Sequence, residues 1–128
     1  MNHRSVIVKA LSDLLNREND DAFLILEDRA TKKFVQFIPW APDKLYMDLP
    51  YQTLSEAEFH KAVQCLRPLG VSETTHQVVQ DPENPHAAEQ FSFNTVFDQI
   101  DDAVDMIELV FTKIYGFAPD FDLNVIEH

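Results

Sequence analysis

The side chains in this chain best suited to chemistry are five histidines, one cysteine and a run of aspartates. The histidines are His3, His60, His76, His86 and His128. None stands four residues from another, so no helical pair of imidazoles is offered to a metal such as zinc. Cys65 follows His60 by five residues. That spacing puts the two on different sides of one helix, and a thiolate–imidazole pair would have to be assembled from distant parts of the chain. Asp98, Asp102 and Asp105 follow an i, i+4, i+7 pattern that brings three carboxylates to one helix face. Hard cations take their oxygens from a loop or cleft rather than from one straight helix, and Asp98, Asp101 and Asp102 already complement the positive end of the helix dipole. The chain has two glycines, Gly70 and Gly116, so a glycine-rich phosphate loop cannot be built. The expectation is a chain with no catalytic constellation, no metal and no cofactor.

The elements that would position these residues are read from periodicity. The last helix, predicted from about Asp98 to Tyr115, organises the rest. Ile100, Ala103, Val104, Ile107, Val110, Phe111 and Ile114 form its apolar stripe, and the aspartates with Glu108 fall opposite. The strand before it, Phe91–Phe97, alternates with phenylalanine at positions 91, 93 and 97. Ser5 is expected to cap a first helix running to about Asn16, with Ile7, Leu11, Leu14 and Leu15 apolar. Phe23–Leu26 and Phe34–Ile38 read as two strands of one hairpin. Pro39 and Pro42 interrupt the pattern, and Leu45–Leu49 alternates as a third strand closed by Pro50. Ser55-Glu56-Ala57-Glu58 is a capping box, with Leu54 and Phe59 as its hydrophobic staple. Pro68 and Gly70 end that helix. A fourth strand is expected over Thr74–Gln80, then a breaker cluster at Asp81–His86. Residues 117–128 form an extended tail in which Phe121, Leu123 and Val125 alternate, either an edge strand or a packed arm. Strands in consecutive blocks favour an α+β fold: an antiparallel sheet of about five strands with three helices, in the order α-β-β-β-α-β-β-α, as one domain over 1–128.

Composition narrows the classes of function. At 128 residues and 45% hydrophobic, the chain can bury a core without staples. No apolar run reaches the ~18 residues of a membrane span, and the N-terminus does not read as a secretory signal. A single cysteine fits a reducing compartment, and a cytoplasmic location is expected. The net charge is −12 and lopsided: residues 1–70 carry 9 basic against 10 acidic side chains, residues 71–128 only Lys113 against 12 acids. Such a surface repels phosphate backbones and anionic membranes, which argues against nucleic acid or membrane as partner, and attracts a basic protein.

Two groups of residues suggest a partner surface. Met106 and Leu109 are expected on the acidic side of the last helix, away from its stripe, where exposed apolar side chains mark contact with another chain. Leu109→Asp would then weaken association without unfolding. The alternative is that the tail, through Phe117 and Phe121, folds back over them. Trp40 and Tyr46, with Tyr51, form a second candidate patch around the proline-flanked strand, ordinary packing at the sheet rim being the alternative.

The stretches Ala22–Glu27, Lys33–Phe37, Leu49-Pro50 with Leu54–Glu58, and Ile114-Tyr115-Gly116-Phe117, together with the element order, give a chain that resembles the type III secretion chaperone and YbjN-like superfamily, the TY-Chap domains. The resemblance implies a bacterial, non-enzymatic, often dimeric domain that holds an extended protein or peptide client along apolar patches, and the expectation is a chaperone-like homodimer. The runner-up is an acidic inhibitor or immunity-type protein that masks one basic partner through residues 71–128. A metal-assisted hydrolase using the Asp98–Asp105 face is the third class.

Overall fold

The computed structural model describes residues 3–17, 21–40, 42–77 and 89–128. Among these residues three α-helices lie on one face of a six-stranded antiparallel sheet. The chain runs α1 (Arg4–Leu15), β1 (Leu24–Asp28), β2 (Phe34–Trp40), β3 (Lys44–Pro50), α2 (Glu56–Leu66), β4 (Ser72–Gln77), β5 (Glu89–Phe97), α3 (Ile100–Leu109) and β6 (Leu123–Glu127). The strand order is β4-β5-β3-β2-β1-β6. The α+β architecture matches the sequence expectation, with the tail supplying a sixth strand against β1. The fourth strand ends at Gln77, and the Asp81–His86 cluster lies outside the described residues.

Period-two alternation decides which side chains meet the helices. Leu24, Leu26, Val35, Phe37, Leu45, Met47, Leu49 and Phe93 point one way and are fully buried. They pack against Ile7, Leu11 and Leu14 of α1, Leu66 of α2, and Ala103, Val104 and Ile107 of α3 in one core. The registers agree, since Leu24 faces Phe37, Phe37 faces Met47, and Leu49 faces Phe93.

Local chemistry fixes the element ends. The capping box of α2 forms in full: the Glu58 backbone N–H donates to Ser55 Oγ at 3.2 Å, and the Ser55 N–H to Glu58 Oε1 at 2.8 Å. Ser5 does not cap α1; the helix starts at Arg4, with His3 at the cap position, where the Nε2 of His3 instead lies 2.6 Å from the Phe121 carbonyl. Pro39 does not interrupt β2 either, which continues to Trp40. β1 begins only at Leu24, opposite Phe37, so beyond that point the β1 side of β2 has no ladder for the missing N–H to serve.

The last helix changes character at Val110, where Val110–Ile114 forms a π-helical turn. The Tyr115 N–H donates to the Val110 carbonyl at 2.9 Å. Widening the turn lets the adjacent pair Ile114 and Tyr115 both be buried, as Val110 and Phe111 are. Gly116, at φ 77, then turns the chain in the left-handed region that suits glycine. Phe121 comes back to stack on Phe111 with ring centroids 4.7 Å apart, which delivers β6 to the sheet edge.

Candidate binding surface on the uncovered sheet face

The side chains that alternate away from the helices form the opposite face of the sheet. Directly paired residues share a face, so the registers give rows across the strands. One row runs Ile126, Ile25, Gln36, Asp48, Asn94. The next runs Ile38, Tyr46, Val96, with Trp40 beside it. Trp40 and Tyr46 stack at 5.0 Å, with their planes 26° apart. Trp40 is 48% exposed, Val96 40% and Ile126 37%, while Ile25, Ile38 and Tyr46 are half-buried by their neighbours on the sheet. An aromatic and β-branched band thus crosses β6, β1, β2, β3 and β5, and no helix among the described residues lies over it.

Beside the band, toward the Asp28–Lys33 connection, the same face is polar and concave. A cavity of about 660 Å³ is lined there by Lys32, Phe34, Gln36, Asp48, Pro50 and Thr53, among others. The Asn94 Nδ2 donates to Asp48 Oδ1 at 3.0 Å, and Ser92 Oγ donates to Asn94 Oδ1 at 3.1 Å. Ser92 and Asn94 are buried on this face because their short polar side chains bond one another and Asp48. The connection itself is held by Asp28, whose Oδ2 accepts from the Thr31 N–H at 2.9 Å and the Thr31 hydroxyl at 2.7 Å. Lys32 adopts φ 66 there.

Charge is scarce on this face. Within β1, β2 and β3 the charged side chains on this face are Glu27, Lys44 and Asp48, and each is engaged within the chain: Glu27 by Asn124 at 2.8 Å, Lys44 by Asp98, and Asp48 by Asn94, while Lys32 at the cavity reaches Glu27 at 3.8 Å. Burial and then the nearby Asp48 carboxylate push the Tyr46 phenol upward from its ordinary pKa, which keeps it neutral. The acids of α3 lie elsewhere. Asp101, Asp102 and Asp105 are exposed on the helix layer, and Arg4 of α1 bonds Asp105 at 3.1 Å.

The structure corrects the reading of Met106 and Leu109 as exposed. Met106 is buried, at 8% exposure, and Leu109 packs half-buried against the core. At about 100° per residue Met106 lies only about 40° from Val110, so it belongs to the edge of the apolar stripe. It is α1, packed alongside α3 with Arg4 reaching Asp105 and Glu108, that closes this flank. Trp40 and Tyr46 are on the uncovered face. Tyr51 is not part of it: its ring packs edge-on to Phe59 and Phe91 at 5.1 and 6.1 Å. Sequence reasoning missed Ile25, Ile38, Val96 and Ile126. Their alternation against buried neighbours was visible, but which of two apolar faces the helices would cover was not.

His60 is exposed and Cys65 is half-buried against the core. Among the described residues no three His, Cys, Asp or Glu side chains converge as a metal would require, and no helix is long and apolar enough to cross a membrane. No protein-family model, no curated protein and no solved structure matches this chain.

Proposed function

We propose that the chain is a non-enzymatic, cytoplasmic protein-binding module, chaperone-like and homodimeric, that holds an apolar segment of a protein client against the uncovered sheet face. One observation carries this reading. All three helices cover the same face of the sheet, and the other presents Ile25, Ile38, Trp40, Tyr46, Val96 and Ile126 as a connected band. Continuous apolar surface flanked by polar groups is the signature of a contact surface rather than of ordinary scatter, and aromatic anchors dominate such contacts. The polar cavity beside the band offers Gln36 and the carboxylate of Asp48 to the main-chain groups of an extended segment.

The test is retention of cellular proteins by the tagged chain at low and at high salt, beside the emission of Trp40, the single tryptophan. Clients held through the band survive high salt and shift Trp40 emission to shorter wavelength; retention that leaves Trp40 unmoved assigns the contact to another surface. A second reading, an inhibitor of one basic partner, is favoured by the exposed Asp101, Asp102 and Asp105 on α3. It calls for a single partner released by salt.

A further inference from the structure

We infer that the second copy in the homodimer docks edge to edge on β6, joining two six-stranded sheets into one through an antiparallel β6–β6 pair. The inference rests on the homodimeric module reading and names its interface. Among the described residues β6 is an edge strand, paired only with β1. The Arg29 N–H donates to the Asp122 carbonyl, and the His128 N–H to the Phe23 carbonyl, each at one end of the β1–β6 ladder. Hydrogen-bonded and non-bonded pairs alternate along an antiparallel ladder. Asn124 and Ile126 therefore bond to β1, and Leu123, Val125 and Glu127 point their N–H and C=O groups outward. That outward set is self-complementary. In a two-fold pair centred on Val125, Val125 meets its own copy and Leu123 meets Glu127, every pair exchanging both bonds, with no like charges opposed. The strand has no proline, no bulge and no lysine between Leu123 and Glu127, three of the devices that commonly protect an edge.

The surroundings fit a second copy of this acidic chain. A shallow groove beside β6 is lined by Val6, Lys9, Ala10 and Asp13 of α1 together with Val125 and Glu127. Val6 is 50% exposed there. Lys9 and Arg17 balance Asp13 and Glu127, paired at 3.1 and 3.4 Å, so the groove is neutral in a chain of net charge −12. Two copies that approach by this flank meet no net repulsion, whereas the exposed acids of α3 would oppose each other. α1 runs in the same direction as β6, with His3 at Phe121 and Arg17 at Glu127. The two-fold axis consequently sets the two α1 helices antiparallel on the same side of the joined sheet.

The experiment is sedimentation equilibrium of the full chain and of Val125→Pro. Proline at 125 deletes one outward N–H and leaves the bonds to β1 in place. The full chain is expected at twice the 14.8 kDa of one chain, and Val125→Pro at the mass of one chain with an unchanged far-ultraviolet circular dichroism spectrum. A full chain that stays monomeric at every concentration, or a folded Val125→Pro that stays dimeric, overturns the interface. Should Val125→Pro fail to fold, Asn124→Cys with Ile126→Cys in a Cys65→Ser background decides. Position 124 of one copy then faces position 126 of the other as a non-bonded pair, at a Cα separation of about 4.5 Å, inside the disulfide range of roughly 4.4–6.8 Å. Mild oxidation then links two chains through positions 124 and 126, and absence of the link overturns the proposal. Mass reads the dimer and client retention reads the module. A dimer that retains nothing refutes the module reading alone, and a monomer that still retains clients refutes the interface alone.

Discussion

Tyr115 is the side chain on which the two layers of the molecule are pinned. Its hydroxyl donates to the Phe34 carbonyl at 2.6 Å and lies 2.8 Å from the Thr53 hydroxyl, and Lys33 sits over its ring at 5.6 Å. The ring is buried, and burial pushes the phenol well above the ordinary tyrosine range. The folded state therefore keeps its proton at pH values where the unfolded chain has lost it, so this contribution is intact below the ordinary tyrosine pKa and declines as pH rises past it. Tyr115→Phe is expected to cost about 1–2 kcal/mol at neutral pH by leaving the Phe34 carbonyl without its donor, and to flatten the alkaline loss of stability. Urea unfolding at pH 7 and at pH 11 checks both. Glu58 titrates in the opposite sense. Its burial alone would raise its pKa, but the bonds from Lys33 and Ser55 outweigh burial and hold it below the usual carboxylate range. Its contribution is present at neutral pH and is lost on acidification.

Among the elements, α3 shows how a helix can be read correctly in type and wrongly in its flank. The stripe Ala103, Val104, Ile107, Val110, Phe111 is buried as periodicity requires. Met106 and Leu109 border that stripe, and whether a bordering residue is exposed depends on whether a neighbouring helix lies beside it. Here α1 does, and Arg4 reaches across to Asp105 and Glu108. Leu109→Asp thus places a carboxylate against the core instead of on a free surface. It is expected to lower stability by about 1–3 kcal/mol rather than to affect association selectively, and thermal unfolding of the variant measures this. β2 offers the converse case. Two prolines read as breaks, yet Pro39 stands in the strand because β1 has not begun beside it.

At the scale of the whole molecule, the arrangement separates charge from apolar contact. The acids of α3 lie in the helix layer, the nearly uncharged band lies on the far face of the sheet, and the neutral α1–β6 flank joins the two. Val96→Asp tests the band, because Val96 is 40% exposed and outside the core. Stability is expected to stay within about 0.5–1 kcal/mol of the parent, while client retention at high salt is lost. The mass in sedimentation is expected to stay that of the dimer, since Val96 is on β5, four strands away from β6.

The residues alone determined a good deal: the α+β class, the three helices, the capping box at Ser55 and Glu58, and the phenylalanine alternation before α3. These follow from short-range physics, because helix and strand periods and cap chemistry are written within a few residues of each other. The tail residues Leu123 and Val125 were legible as alternating but not as paired, since pairing with β1 is a contact across nearly the whole chain. Only the tertiary structure decided which face of the sheet the helices cover. Ile25, Ile38 and Val96 are as apolar as Leu24, Phe37 and Phe97, and local sequence carries no label for inside. The same packing buried Met106, left Trp40 and Tyr46 uncovered, and set β6 at the open edge, because coverage is a property of neighbours and not of the residue covered.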